Sequence, residues 1–437
     1  MLMPSVRGDY SRDSHTGSMT TNTAGNGGER DYMQSSNPSS DRSYRALLTV
    51  PSVSHVLGGM QIARIAQSMV SVAIVLFALT FYRSATLAGV ATFFAIFPGL
   101  IVSPIAGALL DRYGRTRLVV LDYVIALGSL IFMGVLALLD LLPAWLLIVI
   151  ASIASLTAPL SNTGLRSLFP LIVPKHLWER INAIDSMGYV VATIIGPPLA
   201  AGMVALWGGP VAFIFIGASY GVAAAVIART PDPPIPAKLS ESLLTDAWQG
   251  LIYTWRNPTL RGLGFSISLL NVGIGTLNIV APILVLERLH LSETIVGFVF
   301  AVQGLAGMVS AAIVGRTDSR EREKLMLAVP MAGTGMVMAL LLVHVNMIVL
   351  LLVMGIIGLL NGPLDVALFT VRQRRTHPSW TGRAFAVSMA FNYAGVPIGS
   401  ALAGAVAAHS IRTAVGLGAI ACLLSAIAAL AMIPSSE

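Results

Sequence analysis

The sequence predicts an all-α membrane protein in which twelve transmembrane helices form two six-helix bundles related by pseudo-symmetry. Three observations support this prediction. Hydrophobic residues make up 55% of the 437 residues and charged residues only 11%, and the mean hydropathy is +0.80. Apolar segments follow one another along most of the chain. The longest polar connector between these segments divides them into six and six.

Composition excludes a soluble enzyme and a nucleic-acid-binding protein. An ordinary soluble domain carries about 25% charged residues, and a chain with less than half of that would not stay dissolved. The net charge of +7 does not indicate a nucleic-acid partner, because Lys and Arg form short clusters between apolar segments. Cys422 is the only cysteine, and the seven histidines show no metal-ligand spacing. We therefore expect no disulfide, no metal and no cofactor.

The first 48 residues differ in composition from the rest of the chain. They are rich in Ser, Asn, Gly, Asp and Arg and nearly free of aliphatic side chains. Such a segment cannot bury enough apolar area to offset its ordering entropy. We expect residues 1–48 to be a disordered cytoplasmic tail. A secretory signal is not predicted, because the first 30 residues contain no apolar stretch.

The remaining chain contains twelve apolar segments, each 19–27 residues long. A helix of that length crosses about 30 Å of hydrocarbon, and only a helix satisfies its own backbone polar groups in lipid at this length. We refer to the segments as spans 1–12. They cover residues 56–81, 86–110, 118–139, 144–169, 182–206, 210–228, 260–286, 294–315, 325–343, 347–371, 383–408 and 412–433.

Basic residues indicate the orientation of the spans. Loops after the even-numbered spans up to span 10 hold seventeen Lys and Arg, and loops on the opposite side hold three. Cytoplasmic loops carry the excess of basic residues in membrane proteins. We therefore expect a multi-pass protein of the cell (inner) membrane, with both termini in the cytoplasm.

The chain divides near its middle. The connector 229–259 is rich in proline and then becomes amphipathic over Ser240–Trp255. We expect an N-terminal bundle over 49–228, a cytoplasmic linker over 229–259 and a C-terminal bundle over 260–437. A short internal repeat supports the division. It relates Asn162–Arg166 to Asn361–Asp365 at an offset of 199, and Pro197 to Pro397 at 200.

A motif between spans 2 and 3 carries a family resemblance. Residues 107–118 read GALLDRYGRTRL, which resembles the loop signature of the major facilitator superfamily. The matching positions are Gly107, Leu109, Asp111, Arg112, Gly114, Arg115 and Leu118. The resemblance covers residues 50–434. Within the superfamily, the sequence most resembles the branch of siderophore exporters and macrolide-type efflux permeases. The residues for that branch are Asp122, Asn182–Ala183, Gly196–Pro197, Gln373, Gly382–Arg383, Pro397 and Gly399.

The resemblance implies a secondary transporter with a central cavity lined by spans 1, 4, 7 and 10. It implies that Gly107, Asp111, Arg112, Gly114 and Arg115 form a conformational loop, with Asp111 capping helix 11 while the cytoplasmic side is closed. Gly196 and Pro197 resemble the antiporter signature that the family carries in span 5. Pro397 and Gly399 resemble the corresponding part of span 11. Alanines at 192, 200 and 201 depart from that signature, which leaves the direction of transport open.

Polar side chains within the apolar spans indicate the same four cavity-lining helices. Each such residue is costly in lipid and is therefore a candidate functional residue. Polar and small residues form one-sided stripes at helical spacing on spans 1, 4, 7 and 10. The candidates for the substrate cavity are Gln61, Arg64, Ser68, Asn162, Asn271, Asn278 and Asn361. Small polar residues can also hold helices together without lining water.

Charged residues in the spans are the candidates for proton coupling or gating. They are Asp365, Arg166, Asp185 and Asp122. On the repeat register, Arg166 and Asp365 occupy equivalent positions with opposite charge. We expect them to face each other across the cytoplasmic vestibule and to pair when that side closes. Asp185 could face the cavity or lie among lipid headgroups, and Arg64 needs either a substrate or a carboxylate partner.

The sequence thus predicts proton-coupled efflux of a small organic molecule, such as a drug, siderophore or metabolite, by alternating access. The alternatives are a facilitator or importer on the same fold, and a membrane sensor that transports nothing. An intramembrane enzyme is not expected, because the spans contain no paired-aspartate, serine-elbow or His-x-x-x-His motif. The expected partners are the substrate, a proton as coupling ion and the lipid bilayer, with no nucleic acid. We expect the protein to be a monomer.

Overall fold

The structure, a computed structural model, describes residues 43–232, 243–314, 322–376 and 381–434. Helices joined by short connections fill these ranges, and no strand is assigned within them. Residues 1–42 of the predicted disordered tail lie outside the described ranges. Its last residues are helical instead of disordered, over Tyr44–Thr49. This helix forms because Ser43 caps its first turn and the side chain of Leu47 is buried.

The N-terminal half contains spans 1–6. Span 1 is the helix Val53–Thr80, span 3 is Arg115–Leu138 and span 4 is Ala144–Ile172. Span 2 consists of two helices, which are Ala85–Phe94 and Phe97–Tyr113. Spans 5 and 6 lie in the helical segment Trp178–Ile227, which follows a single 3₁₀ turn at Lys175–Leu177.

Spans 5 and 6 are separated by one glycine. The described ranges contain eleven helices long and apolar enough to cross a membrane, and the one over Lys175–Ile227 has 53 residues. A single helix of that length would extend for about 80 Å, far beyond a hydrocarbon core of about 30 Å. Gly208 interrupts it with φ 82° and ψ 162°, a conformation that glycine adopts readily. The segment therefore crosses twice, and the prediction of twelve spans is confirmed.

The C-terminal half begins with the amphipathic helix Leu243–Arg256, which overlaps the predicted amphipathic segment. Span 7 is Pro258–Ile283 and continues through a π-helical turn at Leu284–Arg288. The remaining helices are Glu293–Val314 for span 8, Glu323–Val343 for span 9, Met347–Arg374 for span 10, Thr381–Tyr393 with Gly395–Ala407 for span 11, and Ile411–Met432 for span 12.

The two halves pack closely near one end of the spans, the predicted outer side. Span 2 meets span 11 there, and a Cβ built on Gly404 would lie 2.5 Å from the carbonyl oxygen of Ala85. Span 5 approaches span 8 equally closely. A Cβ built on Gly297 would lie 2.7 Å from the Cα of Pro198. Backbone this close leaves no room for a side chain, so the structure is closed on its predicted outer side.

Candidate functional site

Three charged side chains from spans 1, 4 and 5 form a cluster in the N-terminal half. Arg64 Nη2 lies 2.5 Å from Asp185 Oδ1, and its Nη1 donates to the Asp185 carbonyl oxygen at 2.7 Å. Arg166 Nε donates to Asp185 Oδ2 at 3.1 Å. The Asp185 side chain is 9% exposed and Arg64 is 12% exposed, whereas Arg166 is 55% exposed. Asp185 thus lies inside the protein between two arginines.

Neighbouring polar residues hold span 1 against span 5. Gln61 Nε2 donates to the carbonyl oxygen of Gly188 at 3.1 Å. Ser68 packs against Gly196, where an added Cβ would lie 2.5 Å from the Ser68 Cβ. The Arg64 guanidinium also lies over the ring of Tyr189, 5.9 Å from its centroid. Gln61, Arg64 and Ser68 therefore contact span 5, and the predicted carboxylate partner of Arg64 is Asp185.

The C-terminal half repeats this arrangement with a different chemistry. Asn271 Nδ2 on span 7 donates to the carbonyl oxygen of Asn392 on span 11 at 2.8 Å. These two residues are 121 positions apart in the sequence, as are Arg64 and Asp185. The Asn392 amide, oriented to suit its neighbours, accepts from Arg372 Nη2 at 2.5 Å. Asn271, Asn392 and Arg372 are thus the counterparts of Arg64, Asp185 and Arg166.

This repeat corrects the register taken from the sequence. Asn271 and Asn392 follow Arg64 and Asp185 at an offset of 207, instead of the predicted 199 or 200. Arg372 lies 206 residues after Arg166 and contacts Asn392 as Arg166 contacts Asp185, so Arg372, and not Asp365, is its counterpart. The offset read from the sequence was wrong because it paired Pro397 with Pro197. At the offset of 207, the residue of span 5 that matches Pro397 is Val190.

One tyrosine from each half lies close to the other. Tyr189 is on span 5 and Tyr393 on span 11, and Arg166 and Asp365 both lie within electrostatic range of Tyr393. Asp365 is exposed, and Asn278 and Asn361 are half-buried. Arg166 and Asp365 thus flank the same tyrosine from opposite halves. Arg166 contacts Asp185 in this conformation, and its pairing with Asp365 on closure stays a prediction.

The remaining candidates within the spans lie on four different spans. Asn162 is exposed on span 4, and Asp122 is buried on span 3 with 3% exposure. Gly196 and Pro197 lie where span 5 contacts span 1 and span 8, respectively. Pro397 is buried, and Gly399 approaches the backbone of Val272 on span 7 so closely that no side chain would fit.

The signature loop packs against span 4 and the start of the linker. Arg115 Nε donates to Ser167 Oγ at 3.0 Å, and Arg112 is exposed. Span 3 begins directly after Gly114, and Asp232 caps it by accepting from the backbone N–H of Thr116 at 2.7 Å. The side chains of Asp111, Gln373 and Arg383 and the surroundings of Gly107 lie outside the described part of the structure, so the role expected for Asp111 stays a prediction.

Removing the cap on span 3 should destabilise the protein without preventing insertion. We expect Asp232→Ala to lower the free energy of unfolding by about 1 kcal/mol, because Thr116 and Arg117 lose a shared acceptor at the helix start. Thermal unfolding of purified protein measures the change. Arg117→Ala is the control, since it keeps the backbone donor and removes a side chain that is 84% exposed. Equal destabilisation by both variants would show that the side-chain ion pair matters and the cap does not.

Three features of the site were not predicted from the sequence. Tyr189 and Tyr393 were missed because aromatic residues are frequent in membrane spans. They are 204 residues apart, so neither the sequence offset nor the 207 offset of the structure pairs them. Asp232 was missed because acidic residues are common in polar linkers. Its role as the cap of span 3 depends on a tertiary contact that the sequence does not show.

Comparison with known proteins agrees with this architecture. The family model of the Major Facilitator Superfamily matches residues 56–396 and 263–437. The uncharacterized MFS-type transporter y4rN of Sinorhizobium fredii is 35% identical over 396 residues, which is 90% of this chain and 98% of that protein. The multidrug efflux pump Tap of Mycolicibacterium fortuitum is 26% identical over 324 residues, covering 71% of this chain and 78% of the pump.

Solved transporters share the fold at low identity. The nucleoside transporter NupG superposes with a TM-score of 0.70 at 14% identity, covering 87% of this chain and 98% of NupG. The peptide transporter POT gives a TM-score of 0.68 at 15% identity, covering 86% of this chain and 93% of that one. The family model, the 35% identical relative and the two six-helix halves agree. The chain belongs to the Major Facilitator Superfamily and is a multi-pass membrane transporter, not an enzyme.

Proposed function

We propose that this transporter exports a small organic molecule in exchange for protons, by alternating access. The observation that carries the proposal is that Asp365 and Arg166 lie on opposite halves, both within electrostatic range of Tyr393. The similarity to efflux pumps named Tap supports the direction. The 26% identity to Tap does not extend to its substrates.

Asp365 is the better proton carrier of the two carboxylates in this region. Asp185 is bound by two arginines, so protonating it would leave two buried or half-buried cations uncompensated. Asp365 is exposed and can exchange a proton with water on the predicted cytoplasmic side. A neutral Asp365 would no longer attract Arg166, and this difference favours one of the two conformations over the other.

The cycle follows from that difference. In the conformation described here, Asp365 releases its proton to the predicted cytoplasmic side and the substrate enters the central cavity. The ionised Asp365 then attracts Arg166 as the halves close on that side. On the predicted outer side a proton neutralises Asp365 and the substrate leaves. A bias of about 1–3 kcal/mol is enough to shift such an equilibrium roughly 5- to 150-fold.

The test uses inverted membrane vesicles that carry a respiratory proton gradient. A panel of dyes, antibiotics and siderophores is chosen by comparing a deletion strain with an overexpressing strain. We expect an exported compound to dissipate the gradient, as reported by a permeant pH-sensitive dye, and a protonophore to abolish its uptake. Uptake that continues unchanged with the protonophore would establish the alternative, a facilitator or importer on the same fold.

Asp365→Asn separates proton coupling from substrate binding. The variant should lose uphill uptake and gradient dissipation, because the amide cannot carry a proton. It should keep exchange of labelled for unlabelled substrate, which needs no net proton movement. Asp140→Asn, in the connection between spans 3 and 4, is the matched control. Gradient-driven uptake by Asp365→Asn at the wild-type rate would rule out Asp365 as the proton carrier.

A further inference from the structure

The helix that precedes span 7 is amphipathic, but its largest apolar side chains are exposed. Trp248 and Trp255 on this helix, Leu243–Arg256, are 62% and 53% exposed. They are seven residues apart, which places them on one helix face two turns apart. Gly250 and Thr254, which lie on another face, are buried instead. A surface helix of a soluble protein has the reverse arrangement, with its apolar face towards the core.

This amphipathic helix lies at the predicted cytoplasmic boundary of the membrane. Only Asn257 separates it from span 7, whose first residue is Pro258. The ring centroid of Trp255 lies 5.9 Å from that of Phe265, which lies 5.9 Å from that of Phe391 on span 11. Phe265 is seven residues into span 7, about 10 Å from the start of the span. Trp255 therefore lies where headgroups meet acyl chains, a depth that favours tryptophan.

Two arginines lie close to Trp255 in the sequence. Arg256 is the last residue of the amphipathic helix, Arg261 is near the start of span 7, and both are exposed. Arg261 and Trp255 line the same small crevice, to which Phe265 and Phe391 add apolar surface. Within the described ranges, neither arginine forms an ion pair. Both charges are therefore available to an anionic group, and guanidinium groups bind phosphate well.

The ligand of this surface must combine an apolar part with a negative charge. The tryptophan face and the crevice offer apolar surface, and Arg256 and Arg261 offer positive charge. A free phosphate ion would leave the tryptophans exposed to water. A zwitterionic phospholipid would bring its own ammonium group towards the arginines. A phospholipid with a net negative headgroup meets both requirements, and the bilayer supplies it at high local concentration.

We propose that the amphipathic helix and the start of span 7 form a binding site for an anionic phospholipid. The headgroup phosphate pairs with Arg256 and Arg261, and the acyl chains lie along Trp248 and Trp255. The site holds the linker at the membrane surface, beside span 2 of the N-terminal half and span 11 of the C-terminal half. Lipid binding here does not depend on whether transport is coupled to protons.

The test measures lipid preference in nanodiscs that contain the purified full-length protein. The bilayer is phosphatidylcholine with a small fraction of phosphatidylglycerol, and one of the two lipids carries brominated acyl chains, which quench tryptophan fluorescence on contact. Wild type should be quenched more by brominated phosphatidylglycerol than by the same fraction of brominated phosphatidylcholine. The excess quenching should be lost in Trp248→Phe with Trp255→Phe, which locates the lipid beside these two of the six tryptophans.

Charge variants test the role of the two arginines. Arg256→Gln with Arg261→Gln should lower the preference for phosphatidylglycerol at least about tenfold, because each basic residue near an anionic surface contributes about fivefold. Arg256→Lys with Arg261→Lys should keep most of the preference, since both positive charges remain. Arg83→Gln with Arg288→Gln, two exposed positions on the predicted outer side, is the matched control and should behave as wild type.

Thermal unfolding in phosphatidylcholine nanodiscs shows whether each variant is folded. If the double glutamine variant is not, Arg256→Gln and Arg261→Gln are measured singly, and each should lower the preference about fivefold. The proposal is overturned if both lipids quench wild type equally, if the glutamine variants keep the full preference, or if the outer control loses as much. Displacement of the excess quenching by glycerol phosphate would also overturn it, because the site would then bind a soluble anion.

Discussion

Arg64→Ala is expected to abolish transport. The substitution removes the closer of the two cations that hold Asp185 and leaves a carboxylate that is 9% exposed with Arg166 alone. Breaking a buried ion pair by removing one partner costs about 3–5 kcal/mol, and Tyr189 loses the guanidinium that lies over its ring. Uptake into inverted vesicles, at matched expression, measures the loss.

Companion variants show what Arg64 contributes. Arg64→Lys should recover little activity, because one ammonium cannot reproduce the two contacts to Asp185 Oδ1 and to its carbonyl oxygen. The double variant Arg64→Ala with Asp185→Ala should be more stable than Arg64→Ala alone, since the charge that remains, on Arg166, is 55% exposed and can be hydrated. Gln67→Ala, on the same helix and exposed, is the control. Wild-type activity in Arg64→Ala would make Arg64 a snorkelling anchor.

Gly89→Val is expected to hold the transporter open on its predicted outer side. A Cβ on Gly89 would lie 2.9 Å from the Cα of Gly404 and would overlap the Ser400 carbonyl oxygen. These atoms belong to backbone and cannot move aside cheaply. Overpacking of this kind costs about 1–3 kcal/mol, and the cost applies only to the closed conformation. We expect transport to fall at least about tenfold, since the outer side no longer closes readily.

Cysteine labelling detects the shift in conformation. In a Cys422→Ala background, Asn278→Cys places a thiol on span 7, and an impermeant maleimide is added from the predicted outer side. Labelling should be faster with Gly89→Val, and Gly297→Val should give the same result at the symmetry-related contact. Gly128→Val is the control, because a Cβ there meets nothing within 4 Å. Equal labelling rates for Gly89→Val and Gly128→Val would contradict the proposed outer closure.

The fold was predictable from the sequence because membrane spans are long and their hydropathy is summed over some twenty residues. Even the boundary between spans 5 and 6 fell close to Gly208, since glycine and proline cluster there. The signature loop was recognisable for a different reason, because its residue spacing is specific.

The side-chain partners were less predictable. Asp185 had two equally plausible locations, because the rotation of span 5 about its axis decides which side chain it faces. The repeat was placed at the wrong offset because five-residue matches can arise by chance within similar helices. Asp122 was identified from the sequence as a charge within a span, but its burial depends on how the neighbouring spans pack against span 3.

The unequal chemistry of the repeated contact has a mechanical consequence. In the N-terminal half, charged side chains clamp span 5 to span 1, and span 5 runs as one helix to Gly208. In the C-terminal half an amide makes the same connection, and span 11 is interrupted after Tyr393, just before Pro397. Proline removes a backbone hydrogen bond and lets a helix bend. Span 5 also holds Pro197 and Pro198, but its helix continues through them, whereas the helix of span 11 is interrupted after Tyr393. We therefore expect bending during transport to occur more readily at the middle of span 11 than in span 5.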